Sequence, residues 1–220
     1  NGITNSGDTV FGNISLYGKV LLYQHSSFAL SAGLGVILPT AGDTSFSVAN
    51  GVPLAHIDND AVYLQPFLGF VWLPSHRSFV QGFLQTDLAA SGNDVMLNST
   101  GNGLTHVGKL TDANHLFADL GVGYWLYRND CGRVKGLTGF APIFEMHYTG
   151  AVSSGDIVSA GPFQIGSLTG DLNMLNYVAG CSTTFGSSMT LSVGYTGPLS
   201  GGNNRQFSDG FRALVEYRPR

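Results

Sequence analysis

Glu145, His147 and Asp119 are the residues of this chain best placed to do chemistry. Glu145 and His147 stand two apart in a segment with apolar or aromatic residues at Phe140, Phe144, Met146 and Tyr148. A period of two puts them on one face of a strand. Asp119 occupies the matching face of the preceding segment, where Leu116, Ala118, Leu120, Val122, Tyr124 and Leu126 alternate with small residues. An imidazole beside carboxylates can serve as a general base. No Ser or Cys nucleophile accompanies His147 in a recognisable motif, so the expected role is an interior polar network, not catalysis, and the chain is not expected to be an enzyme.

A second group could ligate a metal. His56, Asp58 and Asp60 lie in one long connection, and His106, Asp112 and His115 in another. Imidazole and carboxylate suit several divalent ions. No pair has a fixed spacing on a regular element, so these read as solvated loop residues, with no metal and no cofactor expected. Gly121-Val-Gly123 falls inside a strand with no helix after it and is no nucleotide loop. Asn98-Ser-Thr100 matches a glycosylation acceptor, a three-residue signal that by itself assigns no function.

The positioning elements are strands. Alternation marks residues 10–23, 28–38, 61–73, 79–90, 116–127, 136–148, 171–185, 189–198 and 207–217. No stretch reads as a helix. The connections alternate in length: 25–27, 74–78, 128–135 and 186–188 are short, whereas 39–60, 91–114, 149–170 and 199–206 are long and polar. In an antiparallel meander this places all short turns at one end and all long loops at the other. Outer-membrane barrels show that asymmetry. Pro66 and Pro142 interrupt strands and each removes a ladder hydrogen bond, so a bulge or covered site is expected at both.

Composition points the same way. Of 220 residues only 11% are charged, 43% are hydrophobic and 31 are glycine. Soluble domains carry about 25% charge. The formal net charge is −4 and no Lys/Arg cluster occurs, which argues against a nucleic-acid partner. No apolar run reaches the ~18–20 residues of a transmembrane helix, but a barrel strand needs only about 9–11.

The expected fold is all-β, a single domain over residues 1–220. It is an antiparallel up-and-down transmembrane β-barrel of about nine or ten strands, with short periplasmic turns and long external loops. Nine strands leave the count odd, and a tenth is expected ahead of residue 1. One face meets lipid, with Trp72, Tyr124, Tyr148, Tyr177, Tyr195 and Tyr217 near strand ends as interfacial aromatics. The other lines a lumen whose polar network comprises Lys19, Asp87, Asp119, Glu145, His147 and Glu216. Arg212 and Arg218 are placed inside or at the interface. Cys131, at the periplasmic end, and Cys181 are candidates for a disulfide in an oxidising compartment.

Residues 34–40 (LGVILPT), 64–70 (LQPFLGF), 119–127 (DLGVGYWLY) and 137–148 (LTGFAPIFEMHY) resemble segments of bacterial outer-membrane β-barrel proteins, particularly large paralogous sets of planctomycete type. The resemblance covers most of residues 11–217, and the GVGYWLY piece is its most specific part. It implies an outer-membrane location and a barrel fold, and no particular activity. The chain departs from the barrel pattern by running past Tyr217 to Arg220. Three functions follow as expectations: a porin-like pore for small solutes, a structural barrel binding envelope proteins or further copies of itself through its long loops, and a soluble lipocalin-like ligand binder.

Overall fold

A computed structural model describes residues 11–48, 50–129, 136–166 and 172–219, and the backbone of residues 3–4. Its strands form three antiparallel sheets. The largest holds nine long strands: β2 (Ile14–His25), β3 (Phe28–Leu38), β6 (Tyr63–Trp72), β7 (Ser78–Ala89), β10 (His115–Tyr124), β12 (Leu137–Ala151), β15 (Asn173–Phe185), β16 (Met189–Pro198) and β17 (Gly210–Tyr217). They pair in chain order, an up-and-down meander, and β11 (Tyr127–Arg128) adds to β12. A second sheet joins β1 (Ile3–Thr4), β4 (Thr44–Val48), β5 (Pro53–Ile57), β8 (Asn93–Leu97) and β9 (Thr105–Leu110), and the hairpin β13 (Ile157–Ala160) with β14 (Phe163–Gly166) forms the third.

The long connections are therefore not plain loops, as their polar composition suggests. Residues 39–60, 91–114 and 149–170 supply strands of the two smaller sheets. Val95, Leu97, Ala55 and Val158 bury themselves there, with Phe46, Ile57, Val107 and Phe163 packed around them. Leu97 is 1% and Val95 0% exposed. We call this packed outer unit the cap.

The large sheet has the opposite distribution. Cross-strand register keeps one side-chain set on each face throughout. The outer set includes Leu16, Val20, Leu34, Leu68, Leu84, Leu120, Phe144, Val193 and Phe211, all well exposed. Across the nine long strands, no outward position holds Asp, Glu, Lys or Arg. The inner set lines cavities. Leu21 of β2 and Arg212 of β17, on the two edge strands, border the same one, so the sheet curls on itself. β2 pairs only with β3 and β17 only with β16, which leaves a seam between them.

The prolines behave differently from expectation. Register shifts fall at Leu21/Tyr23 and Leu137/Gly139, away from both prolines. Pro66 sits on the outer face, and pairing to β7 lapses between Leu64 and Phe67 with register unchanged. Pro142 lies where β12 changes partner, from β10 at Ile143 to β11 at Phe140. In both places the ladder is interrupted on one side of the proline, whose ring nitrogen has no hydrogen to donate.

Candidate functional site

Three neighbouring inward positions build the centre of the interior. Asp119 of β10 is directly paired with His147 of β12, and Glu145 is two residues along. His147 Nδ1 lies 2.8 Å from Asp119 Oδ1, and its Nε2 lies 3.2 Å from Glu145 Oε2. Only an imidazolium can donate from both ring nitrogens. The fourth member comes from the far edge of the sheet: Arg212 Nη1 donates to Glu145 Oε2 at 3.0 Å. β15 and β16 intervene between those strands, so the contact is a chord across the curled interior. With two carboxylates against an imidazolium and a guanidinium, the cluster balances its own charge. Glu145 is 17% exposed and Arg212 48%.

The other residues expected in this network lie elsewhere on the inner face. Lys19 borders a separate cavity with Tyr17, Ser31, Phe67, Phe83 and Gln85. Asp87 has a buried carboxylate oxygen, Oδ1, without a hydrogen-bond partner. Glu216 pairs at 2.8 Å with Arg218 near the short-turn end. Arg212, expected only inside or at the interface, is the member that ties the cluster together.

The interior is also less polar than expected. Tyr17, Phe67, Phe79 and Phe83 point inward, and the Tyr17 hydroxyl donates to Gln65 Oε1 at 2.6 Å. Phe67 and Phe83 pack at 5.6 Å between ring centroids, and Phe79 meets Trp125 at the same distance. Glycine makes room for these rings. A Cβ at Gly33 would collide with Phe67, and one at Gly123 with Phe79. Their phase carried the signal: all three phenylalanines occupy odd positions, out of step with the outward aliphatics.

Four cavities file along the inner face. The one beside the ion cluster has a volume of about 370 Å³ and shares Gln81, Glu145 and Arg212 with the next, of about 280 Å³. Phe79 and Thr190 join that to a third at the short-turn end, and Ser31, Gly69 and Phe83 join the first to the one beside Lys19.

The expected interfacial aromatics all face outward, in two groups. Trp72, Tyr124 and Tyr217 stand toward the short-turn end, whereas Tyr148, Tyr177 and Tyr195 stand toward the cap. Phe144, Tyr177, Tyr195 and Phe211 form a ladder of adjacent rings across β12, β15, β16 and β17. Cys181 stands opposite Pro142 with no disulfide partner among the described residues, and Cys131 lies outside them.

In the cap, His56 and Asp58 do meet. His56 Nε2 is 2.9 Å from Asp58 and 3.8 Å from Asp43, while its Nδ1 is 2.7 Å from Ser45 Oγ. Asp43, His56 and Asp58 could together offer three ligand atoms to a cation, and Asp58, Asp60 and Asp94 another three. The second group of the sequence disperses. His106 and Lys109 pair with Asp94, Asp112 accepts a hydrogen bond from Tyr63, and His115 lies against Phe117.

Comparison with known protein families, curated proteins and solved structures finds no match to this chain.

Proposed function

We propose that this chain is a transmembrane β-barrel of a bacterial outer membrane whose interior is a narrow passage for small solutes, closed at rest by its own side chains. One observation carries the membrane reading: the outer face of nine strands holds large exposed apolar residues and no charged one. A soluble sheet would place Lys and Glu on its water-facing side, and monomers rarely expose apolar patches beyond a few hundred Å². Lipid removes that conflict, and the two outward aromatic groups stand where headgroups would meet them. The short-turn end then faces the periplasm and the cap faces outward.

The passage reading rests on the file of cavities. A barrel of this size has an interior mostly filled by side chains. The fillers are phenyl rings and one ion cluster, and these can rotate or part without breaking the ladder. Purified protein in a planar bilayer should give small, flickering conductance that Arg212→Ala increases. Silence of both proteins at all voltages would sink this reading.

A second reading has its own support. The cap holds a buried apolar cluster of its own, which gives its long segments a packed surface suited to holding a partner. Retention of a binding partner by protein whose lumen is silent would favour it.

A further inference from the structure

The β4–β5 hairpin of the cap has two unlike faces. Its ladder pairs Thr44 with Ile57, Ser45 with His56 and Phe46 with Ala55. Ala55 belongs to the buried cap cluster, and Phe46 and Ile57 pack against it. Side chains alternate across a strand, so Ser45 and His56 share the opposite face. Asp43 and Asp58 flank the end of the ladder, two residues from Ser45 and from His56 respectively. Like charges brought together across a strand pair repel. Among the described residues, His56 is the one basic side chain within ion-pair distance of either carboxylate. Asp60 and Asp94 bring further negative charge against Asp58.

Outer contacts orient this trio. His56 Nδ1 lies 2.7 Å from Ser45 Oγ, which turns Nε2 toward the carboxylates. Asp43 Oδ1 accepts the Asn59 N–H at 2.9 Å, and its Oδ2 faces Nε2 at 3.8 Å. Asp58 Oδ1 lies 2.9 Å from Nε2, and the Asp58 N–H donates to the Asp94 carbonyl. A metal-ligating imidazole is held in the same way, by a hydrogen bond at the ring nitrogen that does not bind the metal. The Ser45 hydroxyl can accept from Nδ1–H, which leaves the Nε2 lone pair free for a cation.

The separations select one class of ion. Zinc bonds of about 2.0–2.2 Å put neighbouring ligand atoms of a tetrahedron about 3.3–3.5 Å apart. The distances of 2.9 and 3.8 Å from Nε2 to the two carboxylates lie on either side of that spacing. Calcium prefers about six to eight oxygens and no imidazole. We propose that Asp43, His56 and Asp58 bind a zinc-type divalent ion on the outer face of the cap hairpin, with solvent as the fourth ligand. Binding displaces the proton from Nε2 to solvent and joins the β3–β4 connection to the end of β5. Asp43 is half exposed, so the ion has a route in. The site is the same whether or not the large sheet meets lipid.

The test uses the full chain in dodecyl maltoside, freed of metal with a chelator. Calorimetric titration with zinc chloride should show a site that His56→Gln and Asp58→Asn each weaken about tenfold or more. His106→Gln, elsewhere in the cap, should leave it unchanged. Cobalt chloride should give the strong visible bands of four-coordinate cobalt, and His56→Gln should lose them. In the unmutated chain zinc should slow protease cleavage within residues 39–60 and chelator should restore it, a readout that needs no variant to fold. Absence of both heat and protection at millimolar zinc would overturn the proposal. So would zinc affinity unchanged in His56→Gln. A six-coordinate cobalt spectrum, with calcium preferred over zinc, would show an oxygen-only cation site and overturn it as well.

Discussion

Arg212 Nη1 lies 3.0 Å from Glu145 Oε2 although two whole strands, β15 and β16, separate them in the sheet. The pair therefore holds the curl, not a local register. Arg212→Ala leaves Glu145 to His147 alone. The guanidinium is half exposed, so the loss is discounted to about 1–2 kcal/mol. Arg212→Ala and Glu145→Gln should each lower the thermal midpoint in detergent. Their double mutant should fall short of the sum, with a coupling of about 1 kcal/mol. Strict additivity would mean that the chord contributes nothing.

Phe79 owes its place to Gly123. The ring covers the glycine so closely that a Cβ there would strike it, and it also packs on Trp125. Gly123→Ala should cost about 1–3 kcal/mol through overpacking. Phe79→Leu should recover much of that loss in the double variant, since the smaller side chain vacates the ring's position. Urea unfolding of the four proteins measures it, and an unrecovered loss would place the strain in the backbone.

Leu120 sits outward on β10, opposite Gly82 and Met146. Leu120→Arg should reduce folding into vesicles by about 2–4 kcal/mol if that face meets hydrocarbon. Inward Gln85→Arg on the neighbouring strand should be far milder. Similar effects at the two sites would remove the distinction between a lipid face and a lumen face.

The strands of the large sheet were legible because alternation is a local property and each strand is long enough to show it. His147 with Asp119 and Glu145 was legible for the same reason, since adjacent strands and a period of two bring them together. Arg212 was not, because its distance from Glu145 depends on how far the sheet curls, which no window of sequence records. The cap was hidden by composition. Its strands are two to six residues long and sit among Asn, Asp, Ser and Gly, so the short apolar runs around Val95 and Leu97 carry too few periods to outweigh the turn residues. The interior phenylalanines were visible as an off-phase set but are polar-face intruders that only the glycines opposite them explain.

Leu97 tests whether the cap stands by itself. It is fully buried within the cap cluster. Leu97→Ala removes its packing there and should destabilise the cap by about 2–5 kcal/mol. Protease cleavage within residues 39–60 should then accelerate while the large sheet keeps its thermal midpoint. A parallel loss in both would show that cap and sheet unfold as one unit.

Acid should loosen the same cap from another side. The hydrogen bond from His106, with Lys109 adding its charge, holds the Asp94 carboxyl below its ordinary value of 3.8. Asp94 joins β8 to β9 through these contacts, and its backbone carbonyl accepts from the Asp58 N–H. A carboxyl depressed in the folded state contributes stability above its unfolded pKa, and that contribution disappears as pH falls through the lower folded value. Cap resistance to protease should thus be level from about pH 7 to 5 and drop below about pH 4. Asp94→Asn should start lower at neutral pH and show a shallower acid drop, because it has no proton left to gain. Identical acid profiles for the two proteins would assign the loosening to other carboxylates, with Asp43 and Asp58 beside His56 next to examine by the same substitution.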